Sequence, residues 1–198
     1  MISFYINGEK ADIQIESEKT VGEVLNSFET ACEENDTAVI GIEIDGKNIT
    51  AEIFDEEIKK PLTDEMRFDF SVVTKQNIKE AFVQLSELFD NLSTQMENVP
   101  SAIQNGKNIE VSESIKVLAD SINQLCHVAA LASLFPETFT ETKINGMNFN
   151  DFFKDFSPVL LDFEQALQNN DSVLVGDLSE YEICPRLQSI SEALKQLQ

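Results

Sequence analysis

Phe68-Asp69-Phe70-Ser71-Val72-Val73-Thr74-Lys75-Gln76-Asn77-Ile78-Lys79-Glu80-Ala81-Phe82 contains the change of period that decides the fold. Up to Val72 apolar and polar residues alternate, as in a strand with one buried face. From Ile78 the apolar residues step by four and three: Ile78, Phe82, Leu85, Phe89, Leu92, Met96, Val99 and Ile103. That stripe predicts an amphipathic helix starting at or just after Thr74. The chain therefore divides into 1–75, which reads as a sheet, and 76–198, which reads as helices; the class is α+β.

Working back from Phe68, Pro61-Leu62-Thr63-Asp64-Glu65 reads as the turn before this last strand. Ile40, Ile42 and Ile44 alternate and reach a turn at Asp45-Gly46, with Ile49 beyond it. The acidic run Ile53–Lys60 reads as either a helical turn or a loop. Thr20 and Glu23 have capping-box spacing, so a helix opens there and buries Val21, Val24, Leu25, Phe28 and Cys32. Ile2, Phe4 and Ile6, then Ile13 and Ile15, flank Asn7-Gly8, a strong hairpin signal. The predicted order is β-β-α-β-β-β.

Four segments carry a family resemblance: Ile6-Asn7-Gly8-Glu9, Thr20-Val21-Gly22-Glu23-Val24-Leu25, Ile44-Asp45-Gly46-Lys47 and Leu62-Thr63-Asp64-Glu65. Together they resemble the β-grasp family, and within it the ubiquitin-like and sulfur-carrier branch. The resemblance covers about the first third of the chain and implies a fold more than an activity. In that branch, chemistry resides on a free C-terminal Gly-Gly. Here Val73-Thr74-Lys75 stand in its place and the chain continues, so no functional residue carries over and sulfur transfer or conjugation is argued against.

Working forward, Pro100 falls inside the first helical stripe, so its last turn is kinked or a separate short helix. Asn105-Gly106 reads as the stop. A second stripe runs through Val111, Ile115, Leu118, Ile122, Leu125, Ala129 and Ala132, with Pro136 ending it. After a longer connection to Gly146, Phe149, Phe152, Phe153, Phe156, Leu160, Phe163 and Leu167 mark a third helix. Asn169-Asn170-Asp171 is a turn with Asp171 as N-cap. A fourth stripe reads Leu174, Leu178, Tyr181, Ile183, Leu187, Ile190, Leu194 and Leu197. Four such helices predict an antiparallel four-helix bundle. Pro158 and Pro185 lie at similar distances from the turn, which predicts a matched bend; the alternative is a new helix opening at Ser157-Pro158.

Charge limits the partners. The chain has 14 basic and 36 acidic residues, a net charge of −22, divided as −11 in each part. A nucleic-acid backbone or an anionic membrane is repelled at long range, and a basic protein is attracted. No apolar run approaches the ~20 residues of a membrane helix, and the N-terminus lacks a basic and apolar leader pattern. Cys32, Cys126 and Cys184 are odd in number and widely spaced, which suits reduced, buried thiols in the cytoplasm.

Candidate chemistry is sparse. His127, the one histidine, adjoins Cys126, but neighbouring helical positions point about 100° apart, so the two do not form a nucleophile pair. His127 reads as a core-edge residue. Carboxylates cluster at Glu33-Glu34-Asn35-Asp36, at Asp55-Glu56-Glu57 and at Asp177, Glu180 and Glu182. None has calcium-loop spacing, and all three read as solvated surface. No catalytic, cofactor-binding or metal-ligating residue is assigned, and no cofactor is implied. Phe149, Phe152, Phe153 and Phe156 read as core, with an open groove edge as the alternative. The expected role is a non-enzymatic cytoplasmic scaffold or protein-interaction module, with a second copy of the chain as one candidate partner. Alternatives are an acidic secretion or flagellar-export chaperone and, last, an enzyme using scattered carboxylates.

Overall fold

A computed structural model describes residues 2–105, 108–139 and 143–197. The chain is α+β and mostly helical: a five-stranded mixed sheet lies at the N-terminus and helices follow. It divides into two compact units, Met1–Asn77 and Ile78–Gln198.

In the first unit, β1 (Ser3–Ile6), β2 (Glu9–Ala11), β3 (Thr37–Ile44), β4 (Lys47–Asn48) and β5 (Arg67–Thr74) take the order β2-β1-β5-β3-β4. The central pair β1·β5 is parallel; the other pairs are antiparallel. Register aligns Phe4 and Ile44 with Phe68, and Ile6 and Ile42 with Phe70, so one face is apolar. Helix α1 (Val21–Glu34) covers that face with Val21, Val24 and Leu25. Phe4 stacks on Phe68 at 5.3 Å between centroids, and Phe28 on Phe70 at 3.8 Å. Each fully buried Phe contributes about 2 kcal/mol.

Local signals account for much of this unit. Asn7 and Gly8 turn with φ of 50° and 85°. The Asn7 amide then extends the β1·β5 ladder, accepting from the Val72 N–H at 2.9 Å and donating to its carbonyl at 3.1 Å. Thr20 and Glu23 form the reciprocal capping box. Gly22 is required by space: its N–H donates to Ile58 O at 2.9 Å, and a Cβ there would lie 2.9 Å from the same oxygen.

Two expectations change here, and one open alternative is decided. Strand β2 stops at Ala11; Ile13 and Ile15 still pack against the core, so their alternation reports burial without ladder pairing. Ile40 is the extra residue of a β-bulge between Val39 and Gly41 and is 48% exposed. The acidic run is helical, α2 (Ala51–Glu57).

The helical elements are α3 (Lys75–Glu97), α4 (Val99–Gln104), α5 (Asn108–Ala132), α6 (Pro136–Phe139), α7 (Phe149–Gln168), α8 (Ser172–Asp177), a π turn (Leu178–Ile183) and α9 (Cys184–Lys195). Thr74 caps α3, accepting from the Asn77 N–H at 3.0 Å, while its own N–H donates to Asn77 Oδ1 at 3.2 Å. Pro100 sits in the first turn of the separate helix α4. Gly106, the expected stop, lies outside the described residues. Pro136 opens α6, where it was expected only to end α5. Pro158 lies inside an unbroken α7, so no new helix opens there.

The last stripe is also corrected. Val175, Ser179, Ile183 and Leu187 are buried at steps of four, whereas Leu174 is exposed, Tyr181 is 65% exposed and Leu197 is half-buried. The π turn is the cause. Pro185 has no N–H for the Tyr181 carbonyl, and its ring would collide with that carbonyl in a regular α-turn. A wider turn upstream removes the conflict and shifts the buried face.

Small polar residues join α3 to this last rod. The Ser179 hydroxyl donates to Met96 O at 2.7 Å, the very carbonyl that Pro100 leaves without its helical N–H donor. Ser191 Oγ donates to Ser86 O at 2.9 Å, and Ser93 Oγ meets Cys184 Sγ at 3.1 Å. All six of these residues are buried.

Candidate functional site

The helical unit holds a cavity of about 540 Å³ bounded by α3, α5, α6 and α7. Its floor comes from one face of α5. Cys126, Ala129, Ala130 and Ser133 recur at helical spacing, and their small side chains leave the volume open. Ser133 donates its hydroxyl to Ala130 O at 2.6 Å, which leaves the floor with little polar demand.

Aromatic rings form the walls. Phe82 of α3 meets Phe139 of α6 edge-on at 5.6 Å. Opposite, Phe149 and Phe153 of α7 lie 6.2 Å apart, and the buried Phe152 braces Phe153 edge-on at 5.6 Å. Phe149 and Phe153 are half-buried, while Phe152 and Phe156 are core. The phenylalanine cluster therefore has one edge in the core and the other on the cavity.

The start of α7 is set from below. Ile144 is fully buried and pairs with Met147 across a turn at Asn145-Gly146, whose φ values are 52° and 77°. Asn145 donates to Ser189 Oγ of α9 at 2.9 Å. Asn148 then caps α7, accepting from the Asp151 N–H at 2.9 Å and donating to the Asp151 carboxylate at 2.8 Å. Lys154 and Asn148 together hold the Asp151 carboxyl below its ordinary range.

The residues singled out by sequence are scattered. Cys126 lines the cavity as an exposed thiol; His127 is exposed, contrary to the core-edge expectation, and is absent from the lining. Cys32 and Cys184 are buried, and burial pushes both thiols up. Glu33, Glu34 and Asp36 are exposed, with Asp36 paired to Lys75 at 3.1 Å. Asp177 and Glu180 are exposed, and Glu182 pairs with Arg186 at 2.6 Å.

Glu57 departs from the solvated-surface expectation. It is 6% exposed, held by Lys47 at 2.8 Å and Lys60 at 2.6 Å, and the two ammonium groups keep its carboxyl below the ordinary range. The signal for this was non-local, since Lys47 is ten residues away across β4. Among the described residues, no three His, Cys, Asp or Glu side chains are grouped to hold a metal ion. No helix among them is long and apolar enough to cross a membrane.

Sequence reasoning offers an open groove edge at the phenylalanines but does not find the floor, because Ala129 and Ala132 also continue the α5 core stripe. What distinguishes them is the clustering of small residues at 126, 129, 130 and 133 on one face.

A family model described as the TP0873 N-terminal domain matches residues 2–74. A second, described as a domain of unknown function (DUF8042), matches residues 80–193. An uncharacterized protein of Treponema pallidum (strain Nichols) is 23% identical over 189 residues, covering 96% of this chain and 94% of that protein. No solved structure matches the chain.

Proposed function

The chain belongs to the family of the domain of unknown function DUF8042, and on that premise we propose that it is a non-enzymatic protein-interaction module. The groove of the helical unit is its docking site. One observation carries this: a cavity of about 540 Å³ is walled by four phenylalanines, and Cys126 is the one ionisable group among its lining residues. Such a surface recognises apolar side chains by shape and burial and has no acid–base pair at hand.

The remaining parts of the proposal follow from topology and composition. Residues 2–74 are read as a β-grasp unit, supported by the order β2-β1-β5-β3-β4 with its parallel centre and covering helix. The helical unit is read as four rods: α3, α5, α7, and α8 with the π turn and α9. Three free cysteines support a reducing, cytoplasmic setting. An export chaperone for a long client segment fits less well, because the open floor spans only Cys126 to Ser133, about two helical turns.

Cys126 offers the test. It is exposed at the groove while Cys32 and Cys184 are buried, so a thiol-directed photocrosslinker attaches there selectively. Irradiation in native extract is expected to trap a discrete partner. Ala130→Phe, which fills the groove, is expected to abolish the adduct. An adduct pattern unchanged by that substitution would overturn the docking role.

A further inference from the structure

We infer that the occupant of the groove is a cationic amphipathic α-helix, an inference that rests on the docking role proposed above. Three observations converge on it. The first is the floor. Cys126, Ala129, Ala130 and Ser133 lie on one face of α5 over seven residue steps, about 10 Å of helix. Flush small side chains flanked by rings let a second helix axis approach closely and seat large side chains at i, i+3 or i+4, and i+7.

The second is backbone chemistry. An extended peptide binds by pairing with free strand-edge N–H and C=O groups. The floor here is α5, whose backbone groups are bonded within the helix. A helical ligand brings its own satisfied backbone and suffers no such loss.

The third is charge. The helical part has 7 basic and 18 acidic residues. Lys154, Arg186 and Lys195 are already engaged by carboxylates. Glu137 in α6 is exposed and adjoins the lining residue Pro136, while Asp151 in α7 is taken up by Lys154 at 3.3 Å. A cationic helix is attracted by this field, whereas a second copy, itself at −22, is repelled.

The test uses the full chain and a labelled synthetic helix of about 18 residues, about five turns. One version carries Leu at i, i+3, i+4 and i+7 with Lys elsewhere. A second replaces Lys by Glu, and a third scrambles the Lys/Leu order. Fluorescence anisotropy is read at about 0.15 M salt, close to physiological. The Lys helix is expected to bind at least about tenfold more tightly than either control, and Ala130→Phe to weaken it by about tenfold or more. Ser133→Phe closes the same groove from another position and guards against misfolding of a single variant; thermal unfolding checks both.

Equal binding of the Lys helix to wild type and to both folded variants would mean attachment elsewhere by charge, and would overturn the inference. Equal binding of Lys and Glu helices, lost in Ala130→Phe, would overturn the inference while leaving the docking role standing. A dimer in sedimentation that Ala130→Phe dissociates would assign the groove to a second copy and also overturn it. No binding by any helix, together with no Cys126 adduct, would remove both.

Discussion

The sheet unit is closed around its aromatic residues, whereas the helical unit leaves some of its own half open. Phe4, Phe68 and Phe70 are each at most 2% exposed and form a continuous stack. Phe149 and Phe153 hold their rings beside Phe152 yet line a cavity. The same residue type is sealed into the core of one unit and left facing an open cavity in the other. The neighbours decide which: α1 covers the sheet with Val21, Val24 and Leu25, whereas α5 faces the α7 rings with alanines.

Breaking the closed side of this contrast is expected to give the largest effect. Phe68→Ala removes a fully buried ring and should cost about 3–5 kcal/mol. Chemical denaturation measures the loss, and hydrogen exchange should place it in residues of the sheet unit. A cost below about 1 kcal/mol would mean that the stack is not the core of that unit.

Next is the serine seam. Ser179→Ala leaves the buried Met96 carbonyl without a donor, since Pro100 supplies none, and should cost about 1–3 kcal/mol. Pairing it with Pro100→Ala restores an N–H, so the double variant is expected to be less destabilised than the single one. Equal losses in a double-mutant cycle would break the link.

Acid pH sharpens the comparison from the sheet side. Lys47 and Lys60 depress the Glu57 carboxyl, so the ionised group favours the folded state. That contribution is complete above the ordinary carboxylate value of 4.5 and is lost as pH falls through the lower folded value. The stability gap between wild type and Glu57→Gln should therefore shrink progressively below 4.5. Using the gap removes the general effect of discharging a chain at −22. Glu18, whose carboxylate accepts from its own backbone N–H, from the Ser27 hydroxyl and from the Glu16 and Ser17 N–H groups, should titrate at about 2 in a carboxyl NMR titration.

The smallest effect is expected at the open side. Ala130 is exposed, so Ala130→Phe should change stability by no more than about 0.5 kcal/mol while closing the groove. A large destabilisation would show that the floor already belongs to the core.

Features whose cause is local were legible in the sequence. Asn7-Gly8 and Asp45-Gly46 announce left-handed turns, and both occur. Thr20 and Glu23 announce a cap, and the uninterrupted Ile78–Met96 stripe is buried throughout. Features needing a distant partner were not legible. The bulge at Ile40 depends on register with β5, and the burial of Glu57 on Lys47 of β4. Ser93, Ser179 and Ser191 carry no signal in the sequence, because each meets its partner 83 or more residues away along the chain. The groove is hardest of all, because it is built from residues too small to fill it.

The π turn has a consequence for how this chain is compared with its relatives. Leu178–Ile183 carries about one residue more than regular α geometry needs for the same rise. A relative lacking proline at the position of Pro185 has no need of that surplus, and a single-residue gap should open opposite this segment. Its placement would shift the pairing of every downstream residue, so Leu187, Ile190 and Leu194 would be matched to core positions only when the gap is put here. The thirteen residues that follow Pro185 here are thus best aligned from their C-terminal side.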